Sequence, residues 1–150
     1  MEYLHTAINT AVSFGIDKEK IIVDPGVGFG KTLAHNLEIL NHLNEFKVLG
    51  RPVLVGPSRK SFIGKILNAG PDARIFGAST SLSANGERSS TSLRTALSER
   101  SEPNGRSRTI GTVSTCILAA KSGAKILRAH DVKAVKQALK VFEAINKRGL

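Results

Sequence analysis

Hydrophobic residues recur along this chain at two spacings, which alternate in a regular order. Residues 3–14 place apolar side chains three and four positions apart, which predicts a helix that ends at Gly15. The short apolar run at 20–25 ends in Asp-Pro, with a glycine after it, and predicts a buried strand that leads into a loop. A second helix is predicted at 33–46, with these residues on one face: Leu37, Leu40, Leu43 and Phe46.

The same order of strand, loop and helix then repeats. A buried strand is predicted at 52–56, and Ser58 can cap the short helix predicted at 61–67. A longer helix is predicted at 112–121. Its predicted apolar face consists of Val113, Ile117 and Ala120.

The last unit is a strand predicted at 125–130 and a helix predicted at 132–147. The inward face of that helix is predicted to consist of Val135, Leu139, Phe142 and Ile145. Strands that alternate with helices are typical of parallel sheets with right-handed crossovers. The predicted fold class is therefore α/β, in a single domain that spans residues 1–150.

The segment 72–108 interrupts this pattern. It is rich in Ser and Arg, has few large apolar residues and shows no sustained period. We expect a disordered insertion or linker there, and an unremoved segment of the gene is an alternative explanation.

The chain is strongly basic, with 22 Lys and Arg against 12 Asp and Glu and a net charge of +10. This charge suggests an anionic partner. Base stacking is disfavoured, because the chain has one Tyr and no Trp, and the positive residues are spread from Lys18 to Arg148. A small phosphorylated ligand is therefore expected before a nucleic acid, and the remaining charge is expected to be solvated surface.

Several classes of protein are excluded or disfavoured. The single cysteine, Cys116, excludes an internal disulfide and a cysteine-rich zinc site. His5, His35 and His42 have no acidic partners at ligand spacing, so no metal site built by the protein is expected. No apolar run is long enough to span a membrane, and the first residues do not resemble a secretory signal. We expect a cytoplasmic protein, with an organellar location open if a targeting segment precedes this sequence.

Polar side chains follow each predicted strand. Asp24 follows the first strand, Arg59 and Lys60 follow the second, and Arg128 and His130 close the third. In parallel α/β folds, ligands bind at the carboxyl ends of the strands. A carboxylate, several cations and an imidazole at one edge predict a site for an anionic ligand with a polar ring. Taken singly, Asp24 could cap a turn, the cations could be surface charge, and His130 could be structural.

The glycine-rich stretch after the first strand matches no nucleotide-binding motif. In GVGFGKT, a Walker loop requires glycine where Pro25 stands. The dinucleotide fingerprint requires a last glycine where Lys31 or Leu33 stands. The glycines instead predict a flexible loop whose backbone approaches a ligand closely, with Phe29 at its tip.

Three motifs together resemble one known family. DPGVGFGKTLAHNLEIL, PVLVGPSRKSFIGKIL and GAKILRAHDV, in this order, resemble the C-terminal part of dihydropteroate synthase. The resemblance implies about three βα units of a (β/α)8 TIM barrel. It also implies transfer of an alkyl group in folate biosynthesis: 6-hydroxymethyl-7,8-dihydropterin pyrophosphate condenses with p-aminobenzoate to give 7,8-dihydropteroate and pyrophosphate. Sulfonamides block this step in the family.

The resemblance also assigns roles to individual residues. It implies that the pterin pyrophosphate is bound by Asp24, Lys60, Arg128, Ala129 and His130. The residues implied to bind p-aminobenzoate are Gly28, Phe29, Arg59 and Ser61. Lys60, Arg128 and His130 are the expected catalytic residues, and the family implies Mg²⁺ on the pyrophosphate, with no magnesium ligand from this chain. Cys116 is not expected to act as a nucleophile.

The chain departs from the family in length, because a complete barrel needs about 250 residues. The family's N-terminal half, with its loop for the magnesium-bound pyrophosphate, has no counterpart here. We therefore expect a partner: a second copy of the chain, or a separate N-terminal half. Two alternatives remain, an inactive fragment or half-barrel that binds pterin pyrophosphate, and a basic protein associated with nucleic acid.

Overall fold

A computed structural model of the chain describes residues 1–68 and 105–147. The order of the elements is α1 (Glu2–Ser13), a 3-10 helix (Lys18–Lys20), α2 (Leu33–Asn41), a 3-10 helix (Leu43–Leu49), β1 (Leu54–Val55), α3 (Ser61–Asn68), α4 (Gly105–Lys121), β2 (Ile126–Leu127) and α5 (Val132–Lys147). In this part of the chain no helix is both long and apolar enough to cross a membrane. Helices and parallel strands alternate, which confirms the α/β class.

A small parallel sheet organises the molecule. Leu54 of β1 lies opposite Ile126 of β2, and on the other side of β1 an isolated parallel bridge joins Val23 to Val53. The Val23 N–H donates to the Pro52 carbonyl at 2.9 Å, and the Leu54 N–H donates to the Val23 carbonyl at 2.8 Å. Three segments therefore run side by side with their carboxyl ends at one edge, as predicted.

The strands are much shorter than predicted. The run at 20–25 contributes only the bridge at Val23, and its first residue belongs to the 3-10 helix Lys18–Lys20. Pro25 and Pro52 are part of the reason, because proline lacks the N–H that a strand ladder requires. At 52–56 and 125–130, likewise, only two residues of each stretch form regular strand.

The helix predicted at 33–46 is divided into α2 and a 3-10 helix. The α-helix ends at Asn41, and the 3-10 helix at Leu43–Leu49 ends at Gly50, which takes a left-handed φ of 64°. The buried side chains on this stretch still include Leu40, Leu43 and Phe46, as predicted. Leu37 is half-buried.

Helix α4 buries a different face from the one predicted. Its buried residues are Thr112, Cys116 and Ala119, whereas the predicted Val113, Ile117 and Ala120 are half-buried. The reason is that α4 packs between α3 and α5, so small side chains occupy the closest contacts. A Cβ on Gly111 would collide with Cγ2 of Ile63 in α3.

Two further predictions change at the edges of the described residues. Helix α4 begins at Gly105, so the last residues of the predicted insertion at 72–108 are helical, and 72–104 lie outside the described residues. Helix α5 has the predicted bounds and buries Val135, but Ile145 is 67% exposed rather than inward. No element among the described residues covers the last turn of α5.

The hydrophobic core lies between the sheet and the helices. Its strand side consists of Val23, Val53 and Val55, and its helix side includes Leu43 and Phe62. Cys116 is fully buried beside this core, and desolvation raises the pKa of its thiol to about 11. The core thus fixes the strands while their carboxyl ends stay open to solvent.

Candidate functional site

The loops that leave the carboxyl ends of the strands form a pocket. Its volume is about 370 Å³, and it is lined by Gly56, Ser58, Arg59, Lys60, Arg128, Ala129 and His130. Five of the residues predicted for the site therefore meet in one place. The remaining four, which are Asp24, Gly28, Phe29 and Ser61, do not line this pocket.

Lys60 connects the pocket to the glycine-rich loop. Its ammonium nitrogen lies 3.1 Å from the centroid of the Phe29 ring, which is a cation–π contact. The pKa of Lys60 is lowered, mainly because burial disfavours the charged form and also because Arg128 lies nearby. Asp24 acts in the opposite direction and raises this pKa. The predicted carboxylate and cations are thus close enough to interact electrostatically.

Gly28 allows the loop to approach Lys60. It has a φ of +81°, and a Cβ at this position would lie 2.6 Å from Cδ of Lys60. Only glycine adopts this backbone conformation readily and leaves room for the lysine side chain. The sequence predicted that this backbone approaches a ligand closely; in the structure its near neighbour is the Lys60 side chain, and the contact with a ligand stays a prediction.

The glycine-rich loop is held by the buried side chain of Asn36, a residue that the sequence analysis missed. Asn36 is 2% exposed, and its Oδ1 accepts a hydrogen bond of 2.6 Å from the Gly28 N–H. Its Nδ2 donates to the Thr32 carbonyl at 2.7 Å. The available signal was a polar residue four positions before the buried Leu40, on the apolar side of α2.

Asp24 has both a structural and an open oxygen. Its Oδ1 accepts a hydrogen bond of 2.7 Å from the Gly26 N–H, which caps the turn after the bridge at Val23. Its Oδ2 has no hydrogen-bond partner among the described residues. The side chain is exposed, so this oxygen can receive a donor from a ligand.

Ser58 orients His130 and does not cap α3 as predicted. Its buried hydroxyl oxygen accepts the His130 backbone N–H at 3.0 Å and lies 2.9 Å from the imidazole Nδ1. Since the oxygen already accepts one hydrogen bond, its own proton is available for Nδ1. When the Ser58 hydroxyl donates to Nδ1, the ring proton of a neutral His130 lies on Nε2, facing away from Ser58.

Arg59 adopts an unusual backbone conformation at the mouth of the pocket. Its φ is +57°, in the left-handed region, and its N–H donates to Thr112 Oγ1 at 3.1 Å. Thr112 is 2% exposed, so a buried side chain of α4 fixes this turn. Arg59 and Ser61 both have exposed side chains, and Ser61 is the first residue of α3.

Within 1–68 and 105–147, no group of three or more His, Cys, Asp or Glu side chains could hold a metal ion. The donor set at the strand ends is mainly cationic, which suits an anion.

Comparison with known proteins identifies the family of the chain. The family model described as "Pterin binding enzyme" matches residues 1–130. The chain belongs to this pterin-binding family. It is similar to the dihydropteroate synthase of Synechocystis sp., with 37% identity over 144 residues that cover 96% of this chain and 38% of the relative. The Escherichia coli dihydropteroate synthase is 38% identical over 130 residues, which cover 87% of this chain and 34% of the relative.

Solved structures of dihydropteroate synthases resemble the fold of this chain. Yersinia pestis dihydropteroate synthase with a pterine-sulfa conjugate gives a TM-score of 0.71 at 33% identity, covering 98% of this chain and 45% of that chain. The Xanthomonas albilineans enzyme with 4-aminobenzoic acid gives 0.70 at 34% identity, covering 97% and 41%. This pterin-binding family member thus spans about two fifths of the length of the curated relatives above.

Proposed function

We propose that this chain carries the C-terminal part, about three βα units, of a dihydropteroate synthase barrel. The observation that carries the proposal is the pocket that gathers Lys60, Arg128 and His130 where the parallel strands end. A 33–38% identity to dihydropteroate synthases over most of the chain supports the same reaction. Dihydropterin pyrophosphate and p-aminobenzoate are the proposed substrates, and sulfonamides are the proposed competitors.

The proposed roles follow the charges of the site. Asp24 accepts hydrogen bonds from the amino-pyrimidine edge of the pterin through its open Oδ2. Arg128 and His130, with the Ala129 backbone between them, bind the pyrophosphate, since a guanidinium and an N–H donor at Nε2 suit phosphate oxygens. Lys60 contacts the pterin and contributes a positive charge.

Proposed p-aminobenzoate contacts come from the loop and from the turn before α3. Phe29 and the backbone at Gly28 pack against the ring, while Arg59 and Ser61 face the carboxylate. Ser61 begins α3, and free N–H groups at a helix N-terminus favour an anion.

The proposed chemistry needs no covalent intermediate. The bond between the pterin methylene carbon and pyrophosphate breaks, the arylamine nitrogen bonds to that carbon, and the amine loses a proton. Most of the rate enhancement comes from stabilising the charge that develops on the leaving group. The family implies Mg²⁺, but the described residues include no cluster that fits this ion, so we assign it no step here.

The test is p-aminobenzoate-dependent formation of dihydropteroate by the purified chain, alone and with a separately expressed N-terminal half of a related synthase. We expect turnover only with the added half, and loss of that turnover in Arg128→Ala. Lys140→Ala, which removes an exposed cation more than two turns along α5 from His130, is the matched control. A folded chain that gives no product in either setting, and does not bind dihydropterin pyrophosphate, contradicts the proposal.

A further inference from the structure

A second concave surface lies at the opposite end of the strands. The residues that precede β1 and β2 enclose a pocket of about 360 Å³, lined by Lys47, Gly50, Arg51, Pro52, Val53, Gly123 and Lys125. Its charged lining residues are all cations. The neighbouring Glu19 pairs with Arg51 at 3.0 Å and is 79% exposed.

Arg51 has donors that the protein does not use. Its Nη1 donates to the Lys18 carbonyl and to Glu19 Oε1, which fixes the guanidinium, and the side chain is only 12% exposed. Its Nε is buried without a hydrogen-bond partner, the only such side-chain atom in the part of the chain that the structure describes. Its Nη2 also has no partner there. Buried donors without acceptors are uncommon in native proteins.

Lys47 is held over the same pocket by a glycine. Gly123 has a φ of +103°, and a Cβ there would collide with Cε of Lys47 and lie 2.9 Å from its Nζ. The lysine side chain therefore runs across the turn that leads to Lys125. The backbone of Lys125 is fixed by its N–H, which donates to the Val53 carbonyl at 2.9 Å, and its side chain is exposed.

Because Arg51 is already paired with Glu19, the uncompensated positive charge of this concave surface comes from the exposed Lys47 and Lys125. The remaining Nη2 donor of Arg51 and two ammonium groups match the charge and oxygens of a phosphate group. We propose that this pocket binds a small phosphate-bearing anion, at the end of the sheet opposite to the candidate active site.

Inorganic phosphate and pyrophosphate are the probes, measured by titration calorimetry. The candidate active site also carries cations, so every variant is made in an Arg128→Ala background. The test variant is Lys47→Gln with Lys125→Gln, and the matched control is Lys133→Gln with Lys136→Gln on α5, which removes the same charge elsewhere. Circular dichroism verifies that each protein is folded.

We expect the test variant to lose at least tenfold in affinity for both probes, while the control stays within twofold of its parent. Equal affinity in the test variant and its parent would overturn the proposal, as would an equal loss in the control. Arg51→Lys is a second variant, and it should also weaken binding, because an ammonium does not reproduce the planar geometry by which the guanidinium bonds Lys18 and Glu19 and still presents Nη2.

A further arm separates a small ligand from a nucleic acid. A short single-stranded oligonucleotide is titrated against the same proteins at two salt concentrations. Oligonucleotide binding that depends on Lys47 and Lys125, with no binding of phosphate or pyrophosphate, would also overturn the proposal. Because all proteins lack Arg128, this outcome is independent of whether the chain takes part in dihydropteroate synthesis.

Discussion

Lys60 differs from an ordinary surface lysine because its surroundings disfavour its charge. Burial and the nearby Arg128 lower its pKa, so the ammonium loses its proton below the usual lysine range of about 10.4. Between the lowered and the usual pKa, the unfolded chain binds the extra proton. The contribution of Lys60 to the free energy of unfolding therefore rises with pH in that window.

The same lowered pKa predicts how ligand binding depends on pH. We expect the affinity for dihydropterin pyrophosphate to fall as pH rises through the lowered pKa of Lys60, by roughly tenfold when the charge is lost. Lys60→Arg should remove this fall, because guanidinium stays charged throughout. Calorimetric titrations from neutral to alkaline pH measure both proteins. A wild-type affinity with the same pH dependence as that of Lys60→Arg across the alkaline range would contradict this role.

The contact between Ser58 and His130 leads to a prediction about the imidazole tautomer of His130. Ser58→Ala removes the hydroxyl that bonds both the backbone and the ring of His130, so we expect a mixture of imidazole tautomers and a loss of about 1 kcal/mol in stability. Long-range ¹H–¹⁵N spectra of the histidine rings report the tautomers. Ser114→Ala deletes an exposed hydroxyl on α4 and is the control. Unchanged His130 nitrogen shifts in Ser58→Ala would refute the assignment.

At the scale of elements, the loop at 26–31 contains three glycines with positive φ, and Gly28 and Gly30 differ most in their surroundings. Gly28 and Gly30 both have positive φ, but only at Gly28 would a Cβ meet Lys60, whereas nothing lies within 4 Å at Gly30. Replacement of either by alanine incurs backbone strain of about 1 kcal/mol. The comparison of the two variants therefore isolates the steric effect on Lys60.

We expect Gly28→Ala to displace the Lys60 side chain from Phe29 and to weaken dihydropterin pyrophosphate binding about tenfold. Gly30→Ala should lose stability but retain most of its affinity. Thermal unfolding measures the strain, and calorimetry measures the binding. Equal affinities in the two variants would mean that the close approach at Gly28 has no functional effect.

Asn36 gives a prediction for the whole loop. Asn36→Leu leaves the Gly28 N–H without its acceptor and removes the bonds to the start of α2, so we expect destabilisation by about 2 kcal/mol. Amide hydrogen exchange should accelerate across 26–31. Asn41→Leu, at the exposed end of α2, is the matched control. Exchange rates that do not change in the loop would show that Asn36 does not hold it.

Elements were predictable where local pattern alone determines them. Helix α5 kept its predicted bounds because its apolar residues recur at helical spacing and Asp131 caps it, with Oδ1 accepting the Ala134 N–H. The buried face of α4 was not predictable, since it depends on packing between two other helices. The role of Ser58 was not predictable either. Local sequence suggested a helix cap, whereas its actual partner, His130, is 72 residues away in the chain.

At the scale of the whole molecule, the sequence predicted which residues come together at the site, but it did not predict their detailed arrangement. Parallel strands imply that Lys60, Arg128 and His130 meet at one edge, and they line one pocket. The roles assigned to individual residues stay predictions. The left-handed turn at Arg59 and its bond to Thr112 have no local sequence signal, because both arise from tertiary contact.

The buried thiol of Cys116 is a natural probe of how often the packing around α4 opens. It is the single cysteine of the chain, it is fully buried, and its pKa is raised to about 11. A thiol reagent can therefore modify the protein only during excursions that part α4 from its neighbours. The labelling rate measures the free energy of that opening, and no probe has to be introduced into the protein. Ligands that tighten the packing of α4 should lower the rate of thiol labelling in proportion to their occupancy.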